Sequence, residues 1–486
     1  MEIIFWLIVG AISWNIIKKI VSQKSNNKMG NVSTSHARQE MLAKKGLGKR
    51  RENRKYLSIE KPDVTFSKES KRVLDLFENT RNNIFLTGRA GTGKSTLLKF
   101  FRATTKKNIA VLAYTGIAAV NIQGQTIHSF FKFGPNITED RVHKLHGEEA
   151  ELYRKLDAIV IDEVSMVRAD FFDCIEKFLR LNGPFPGKAF GGVQMLLIGD
   201  LYQLPPIVKE SEKEIFKKHY RSQFFFDAKN YNNSQFEKIE LTHIYRQSDQ
   251  AFIEILDAMR LCKTTDAHIT KINKRFFKEI DSKVSNDFRI SLVTTNAMAN
   301  DINIAKLAQL PGNSKIYHGI VNGEIKEKNL PTEQELTLKE RAQIMLLNND
   351  PRKRWINGDL AKIVRLDESS VRVLFEDNTF DDVGFYKWET VQFVYDEQEK
   401  KIESEIIGSF TQIPMRLAWA VTIHKGQGKT FDGATIDFGN GTFASGQAYV
   451  ALSRCRSLEG LILRSPLEHR HIFIDPRINE FMQNSG

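Results

Sequence analysis

The chain is poor in cysteine, poor in net charge outside one end, and holds a single apolar run long enough to raise a membrane question. Its 486 residues include three cysteines, Cys174, Cys262 and Cys455. They are widely separated and form no C-x-x-C pair, which excludes a disulfide framework and a zinc-finger pattern and fits reduced thiols. The formal net charge of +12 suggests a polyanionic partner until it is located. Residues 1–55 carry 12 Lys or Arg against 3 Asp or Glu, a net of +9, which leaves +3 for the other 431 residues. The body is nearly balanced, so any electropositive groove in it arises from local arrangement. No short-period repeat and no low-complexity tract is present, which excludes solenoids and collagen-like chains.

The apolar run is "IIFWLIVGAISWNII", residues 3–17, broken only by Ser13 and Asn15 and followed by Lys18 and Lys19. It falls short of the ~20 residues that cross ~30 Å of hydrocarbon. No basic residue precedes it and no A-x-A-like site follows, which argues against a signal peptide. Counted as residues 1–21, with the lysines snorkelling, it allows a thin or tilted anchor, and the positive-inside rule then places the body on the cytoplasmic side. An interfacial helix, or a start at Met29 or Met41, are the other readings. Residues 22–62 are polar and basic without apolar periodicity, and a disordered linker is expected there.

What is present begins with "FLTGRAGTGKST", residues 85–96. Gly88, Gly91, Gly93, Lys94 and Ser95 stand at the G-x-x-x-x-G-K-[ST] spacing, with Thr92 between two of the glycines. Glycines there let backbone N–H groups close around a phosphate chain, Lys94 reaches the β and γ phosphates, and Ser95 offers a hydroxyl to Mg²⁺. The helix opening at Thr96 points its positive end at the anion. "NIFLT" before the loop and "LLKFF" after it supply the strand and helix that the motif requires. Further on, "LDAIVIDEVSM" (156–166) delivers Asp162 and Glu163 at the end of a buried strand, the first to hold Mg²⁺ and the second to orient the attacking water. "GGVQMLLIGDLYQLPPI" (191–207) repeats this with Asp200 and Gln203, whose amide suits a sensor of the γ-phosphate. "AWAVTIHKGQGKTFD" sets His424, Lys425, Gln427 and Thr430 on one turn, a mixed donor set fit for phosphates.

Taken together, "GRAGTGKST", "TGIAAVNIQGQTIHSF", "IVIDEVSM", "GDLYQLPPI", "LTHIYRQSD", "RLAWAVTIHKGQGKTFD" and "YVALSRCRSLEGL" follow the order of the motifs of superfamily-one, 5′-to-3′ DNA helicases. Across residues 63–465 the chain most resembles the PIF-one family, with RecD-like helicases as nearest relatives. The resemblance implies an α/β fold of tandem RecA-like P-loop domains with parallel sheets. It places the first domain at 63–208, with a wedge insertion at about 129–150, and the second at 209–305 and 412–486. The short alternating strands of 306–411 read as a small inserted barrel, which the resemblance makes SH3-like.

The resemblance further implies that Arg246 and Arg454 reach across the cleft to the γ-phosphate, while Gln427 is read from its own turn as a nucleotide contact. It implies DNA contacts from Thr115, Thr126 and His128 on one side and from Thr294, Thr295 and Asn296 on the other; the donors of His424 and Lys425 suit DNA phosphate as well, and Tyr114 or Phe130 is available for base stacking. Two departures stand out. Gly426 replaces a usual serine, and Ser70 stands where relatives carry a glutamine that reads adenine. The expected protein is an ATP- and Mg²⁺-dependent motor on single-stranded and duplex DNA, working as a monomer and serving repair, recombination or replication. An RNA-directed helicase and a membrane-tethered nucleotide switch are the alternatives.

Overall fold

The computed structural model describes residues 61–484 apart from 63, 135, 232–233, 246–248, 278–287, 326 and 440. The expected anchor at 1–21, nearly all of the linker at 22–62, and Arg246 lie outside the described residues. No helix among the described residues is long and apolar enough to cross a membrane.

An amphipathic helix, Lys68–Asn79, leads in; Ser67 caps it by accepting from the Ser70 N–H at 3.2 Å, and Val73 and Phe77 face inward. Six strands follow: β1 (Asn83–Gly88), β2 (Ile109–Ala113), β3 (Gln125–Thr126), β4 (Ala158–Asp162), β5 (Gln194–Ile198) and β6 (Phe236–Leu241). They form one all-parallel sheet in the order β3-β2-β4-β5-β1-β6. The strands β2, β4 and β5 are continuous apolar runs buried along their length, as a sheet covered on both faces requires. The first domain thus extends beyond the expected boundary at 208, because Asn83 to Gly88 pair in register with Phe236 to Leu241. The segment 129–150 is made of short turns that drive Phe131, Phe133, Val142 and Leu145 into the same core, so it is anchored along its length.

The second parallel sheet opens with β7 (Ile290–Val293), after which the chain leaves for the insertion. There β8 (Lys315–His318), β9 (Ile320–Gly323), β10 (Glu335–Leu338), β11 (Gln343–Leu346), β12 (Leu360–Leu366), β13 (Ser370–Phe375), β14 (Phe380–Gly384), β15 (Tyr386–Asp396), β16 (Lys401–Gln412) and β17 (Met415–Leu417) follow one another. The strands β14-β13-β12-β11-β17 make an antiparallel sheet around its own core of Ile344, Ile363, Val373 and Met415. The expected span of 306–411 is shifted: the helix Asn296–Gln309 runs past its start and β17 belongs to it. The long hairpin β15–β16 pairs with β9 and was not expected. It docks on the first domain, where the Phe393 ring joins the first core and its N–H donates to Gln125 Oε1 at 3.2 Å.

The chain then returns through β18 (Ala420–Thr422), β19 (Ala434–Asp437) and β20 (Leu461–Leu463), completing a parallel sheet in the order β18-β7-β19-β20. The last helix, Pro476–Asn484, does not stay with this sheet, contrary to the expected 412–486 assignment. Ile478 is fully buried in the first core, and the Phe481 ring stacks on Phe226 at 4.2 Å between centroids.

Candidate active site between two parallel sheets

The loop between β1 and the helix Lys94–Thr104 is shaped by its glycines. Gly91 and Gly93 hold φ of 82° and 85°, and Gly88 has φ of 151° with the Leu241 carbonyl 2.7 Å from where a Cβ would sit, so no larger residue fits. Lys94 folds into the loop, donating from Nζ to the carbonyls of Gly88 at 2.6 Å and Arg89 at 3.0 Å. Burial pushes the Lys94 ammonium below its ordinary pKa, against the opposing pull of Asp200 and Glu163. Thr92 is buried and ties the loop through Oγ1 to the Arg89 carbonyl at 2.9 Å, while Ser95 and Thr96 stand exposed on the first helical turn. The Ser70 hydroxyl accepts from Ser67 Oγ at 3.2 Å and lines the same cleft.

β4 ends on Asp162, and Glu163 follows in a left-handed turn with φ 52°, a conformation non-glycine residues adopt rarely. That turn swings the two carboxyls together, and the Glu163 N–H donates to Asp162 Oδ1 at 3.0 Å. Burial first, and the Glu163 charge second, lift the Asp162 carboxyl to about 7, and burial lifts Glu163 as well. Two acids pressed together in a buried site gain from a divalent cation, and an all-oxygen set with the Ser95 hydroxyl nearby fits Mg²⁺.

The second sheet supplies the opposite wall of a cleft of about 740 Å³ lined by Lys94, Ser95, Glu163, Gln203, Lys429 and Arg454 among others. Gln427 spans it, its Nε2 donating to Gln203 Oε1 at 3.0 Å and to Glu163 Oε2 at 3.4 Å. Gln203 is itself held by Asp200, its Nε2 donating to Oδ2 at 3.2 Å. Arg454 is 1% exposed and is set by its own helix: Nε donates to the Val450 carbonyl at 2.9 Å and Nη2 to Ser453 Oγ at 2.9 Å. It lines the same cleft as Glu163, and its charge opposes the rise that burial causes in the Glu163 pKa.

Three cross-cleft contacts escaped the sequence reading. Arg260, on the helix Gln250–Arg260, is 4% exposed and donates to Asp200 Oδ1 at 3.3 Å and Glu240 Oε1 at 3.2 Å, over the face of Tyr202. Arg89 pairs with Asp257 at 2.7 Å. The Tyr449 hydroxyl accepts from the Ala90 N–H at 3.3 Å. A signal for Arg260 existed: Phe252, Ile255, Leu256 and Met259 trace one buried helical face, and the arginine falls on it at the i+4 position from Leu256.

The candidate DNA residues gather at the carboxyl ends of parallel strands, where such sheets bind ligands. Thr115, Thr126 and Thr295 are all helix N-caps, their hydroxyls accepting from the N–H groups of Ala118, Ser129 and Met298 at 3.2 Å each. Thr295 and Asn296 are exposed, whereas Thr294 is buried with Oγ1 against Met298 Sδ. His128 stacks on Phe171 at 4.6 Å, with Tyr114 edge-on beside both. Burial lowers the pKa of His424, and Lys425 stands exposed beside it. Phe130 is 2% exposed in the first core, so the stacking role open to it is withdrawn.

Comparisons with known proteins agree with this geometry. Residues 65–269 match the family model for PIF1-like helicases. The ATP-dependent DNA helicase PIF1 of Emericella nidulans is 32% identical over 85% of this chain, and the chain spans 62% of that protein's length. The ATP-dependent DNA helicase Pif1 of Bdellovibrio bacteriovorus is 30% identical, with 86% of this chain and 92% of the relative covered. The crystal structure of Bacteroides Pif1 with ADP-AlF4 superposes at a TM-score of 0.80, with 36% identity over 87% of this chain and 97% of the other. The same Bacteroides protein bound to single-stranded DNA gives 0.62 at equal identity and coverage, so this arrangement is closer to the former.

Proposed function

The chain belongs to the PIF1-like helicase family, and from that premise we propose that it is an ATP-dependent DNA helicase moving 5′-to-3′ on single-stranded DNA and separating duplex ahead of it. The observation that carries the reading is the split site: a phosphate loop and two carboxylates on one sheet, and Gln427 and Arg454 on the other, meeting in one cleft. An ATPase that never moves can keep its machinery on one domain; a motor needs the chemistry to depend on closure.

In this reading Lys94 and the loop N–H groups bind the phosphates of ATP, Ser95 and Asp162 hold Mg²⁺, Glu163 and Gln203 position the water, and Arg454 meets the charge that develops on the γ-phosphate. Mg²⁺, when bound, neutralises phosphate charge between Ser95 and Asp162. The threonine caps and Asn296 take the DNA backbone, which suits a body with little net charge because hydroxyl and N–H contacts position a strand without many lysines. A motor acting on DNA would serve repair, recombination or replication. With residues 1–21 as a tether it acts at the cytoplasmic face of a membrane; a variant beginning at Lys61 is then soluble and active, and full-length protein that needs no detergent removes this part.

The deciding experiment offers equal duplexes with a 5′ or a 3′ single-stranded tail, in DNA and in RNA. Strand separation from the 5′-tailed DNA alone, dependent on ATP and Mg²⁺, is expected. RNA-only activity, or nucleotide-dependent partner binding without strand separation, would overturn it.

A further inference from the structure

Lys429 lies in the turn between Gln427 and Phe431 and is used by nothing in the site described above, yet it lines the nucleotide cleft. Its ammonium donates to Asn357 Oδ1 at 2.7 Å. Asn357 is on the 356–359 turn between β11 and β12, in the inserted antiparallel domain, and Ile356, Asn357, Gly358 and Asp359 all line the same cleft. The fit is close: a Cβ on Gly358, which has φ of 113°, would touch the stem of Lys429 at 3.4 Å. The turn also leans on the first domain, with Asn357 Nδ2 donating to Asn121 Oδ1 at 3.4 Å. One side chain of the second parallel sheet therefore connects the nucleotide cleft to the insertion.

The charged groups around the ammonium leave it poorly compensated. Asp359 attracts it, Arg416 repels it, and burial dominates both, so its pKa falls to about 7. Arg416 is itself deeply placed and its Nε has no hydrogen-bond partner. A neutral amide oxygen brings no charge to offset the ammonium, whereas a phosphate oxygen does.

We propose that Lys429 is a ligand for the phosphate chain of the nucleotide that is shared with Asn357, so that a bound triphosphate takes the ammonium from the 356–359 turn and frees the inserted domain's hold on the cleft. This deepens, and rests on, the reading of the cleft as an ATP site. It names the route by which nucleotide occupancy reaches the insertion: a phosphate deeper in the cleft draws the ammonium away from Asn357 Oδ1, so in this proposal phosphate binding and the Asn357 contact oppose one another. The two members of the pair then have opposite effects on affinity. Removing Lys429 removes a ligand; removing the Asn357 amide removes a competitor.

The test measures binding of a non-hydrolysable ATP analogue with Mg²⁺ to the full chain and to Lys429→Met, Lys429→Arg, Asn357→Ala and the double variant, with melting temperature as the check on folding. Lys429→Met is expected to weaken binding about tenfold and Lys429→Arg to stay within about threefold of wild type, since charge is retained. Asn357→Ala is expected to tighten binding about threefold, and to have no effect when combined with Lys429→Met. Hydrogen exchange at residues 354–360 rises on analogue binding in the wild type and not in Lys429→Met. Unchanged affinity in a folded Lys429→Met, or weaker binding in Asn357→Ala, overturns the inference. Wild type that fails to bind the analogue at all overturns the ATP reading itself; binding that is lost in Lys94→Ala while Lys429→Met keeps it overturns only the role of Lys429.

Discussion

The two walls of the cleft carry their chemistry by different means. On the first wall the backbone does most of the shaping: glycines with positive φ, a left-handed Glu163 and a helix N-terminus set the phosphate loop and the carboxylates. On the second wall side chains reach out from short turns and are held by neighbouring carbonyls and hydroxyls, as Arg454 is by Val450 and Ser453. A backbone cradle binds the same group in every state of the molecule. A reaching side chain acts only when the walls are near each other, so the first wall governs binding and the second governs turnover.

The sharpest way to break that division is to remove one group from each wall. Lys94→Ala is expected to lose ATP binding and turnover together, with less than a tenth of wild-type hydrolysis remaining. Arg454→Ala should lose turnover by about 10³ while ADP and single-stranded DNA bind within about threefold of wild type, because the charge it meets develops mainly in the transition state. Steady-state hydrolysis alongside equilibrium titrations reads both, and weakened ADP binding in a folded Arg454→Ala would erase the distinction. Arg454 is no surface ion pair, being buried, so its loss also lowers stability.

Next in size is the Arg260 contact with Asp200, which joins the walls just behind Gln203. Arg260→Ala strands two carboxylates, one of them wholly buried, and should cost about 3 kcal/mol in denaturant unfolding. A loss under about 1 kcal/mol would mean that water already reaches Asp200. Smaller still, Gln427→Ala should reduce kcat about tenfold with little change in KM, since its bonds to Glu163 and Gln203 position groups that act on the water. A rise in KM alone would move Gln427 to the binding side of the division.

The smallest effect lies outside both walls, in the loop that precedes the Asn357 turn. The Arg354 guanidinium holds the Asp350 carboxyl down at about 2. A carboxyl depressed in the folded state adds stability above its unfolded pKa near ~4, and that contribution disappears as pH falls toward 2. Thermal melting between pH 5 and pH 2.5 should therefore decline less steeply in Asp350→Asn than in wild type. Parallel curves would show that the pair adds nothing.

The same division explains what was legible in the sequence. The phosphate loop and Asp162–Glu163 can be read from residue type and spacing, because glycines and a strand-end carboxylate pair are local requirements of the backbone. Gln427 could be read from its turn as a phosphate donor and Arg454 only through the resemblance, and that both face the first sheet could not be read locally, since nothing local says which turn will face which. Arg260 was missed for the same reason, although an arginine on the apolar face of its helix was a visible anomaly. The boundary at 208 failed because β6 reads as any half-buried strand, "FEKIEL", and its partner β1 lies 153 residues earlier, a pairing that no window of sequence contains. The hairpin β15–β16 was read as barrel strands. Its outward reach to Gln125 depends on Phe393 finding a distant core.

The last helix has a consequence for how this chain comes into being. Synthesis runs from the N-terminus, and Phe85, Phe226 and Tyr231 emerge long before Phe481, the ring that covers them. At ~5–20 residues per second, the stretch from β6 to the last helix takes on the order of 10–50 s to translate. Through that interval the nascent first domain shows the ribosome's surroundings an uncapped aromatic surface, and only release of the finished polypeptide closes it. A chain truncated by premature termination before Pro476 would carry every motif of the phosphate-binding half and still present that surface, which makes it a ready client for chaperones and proteases in place of a working half-enzyme.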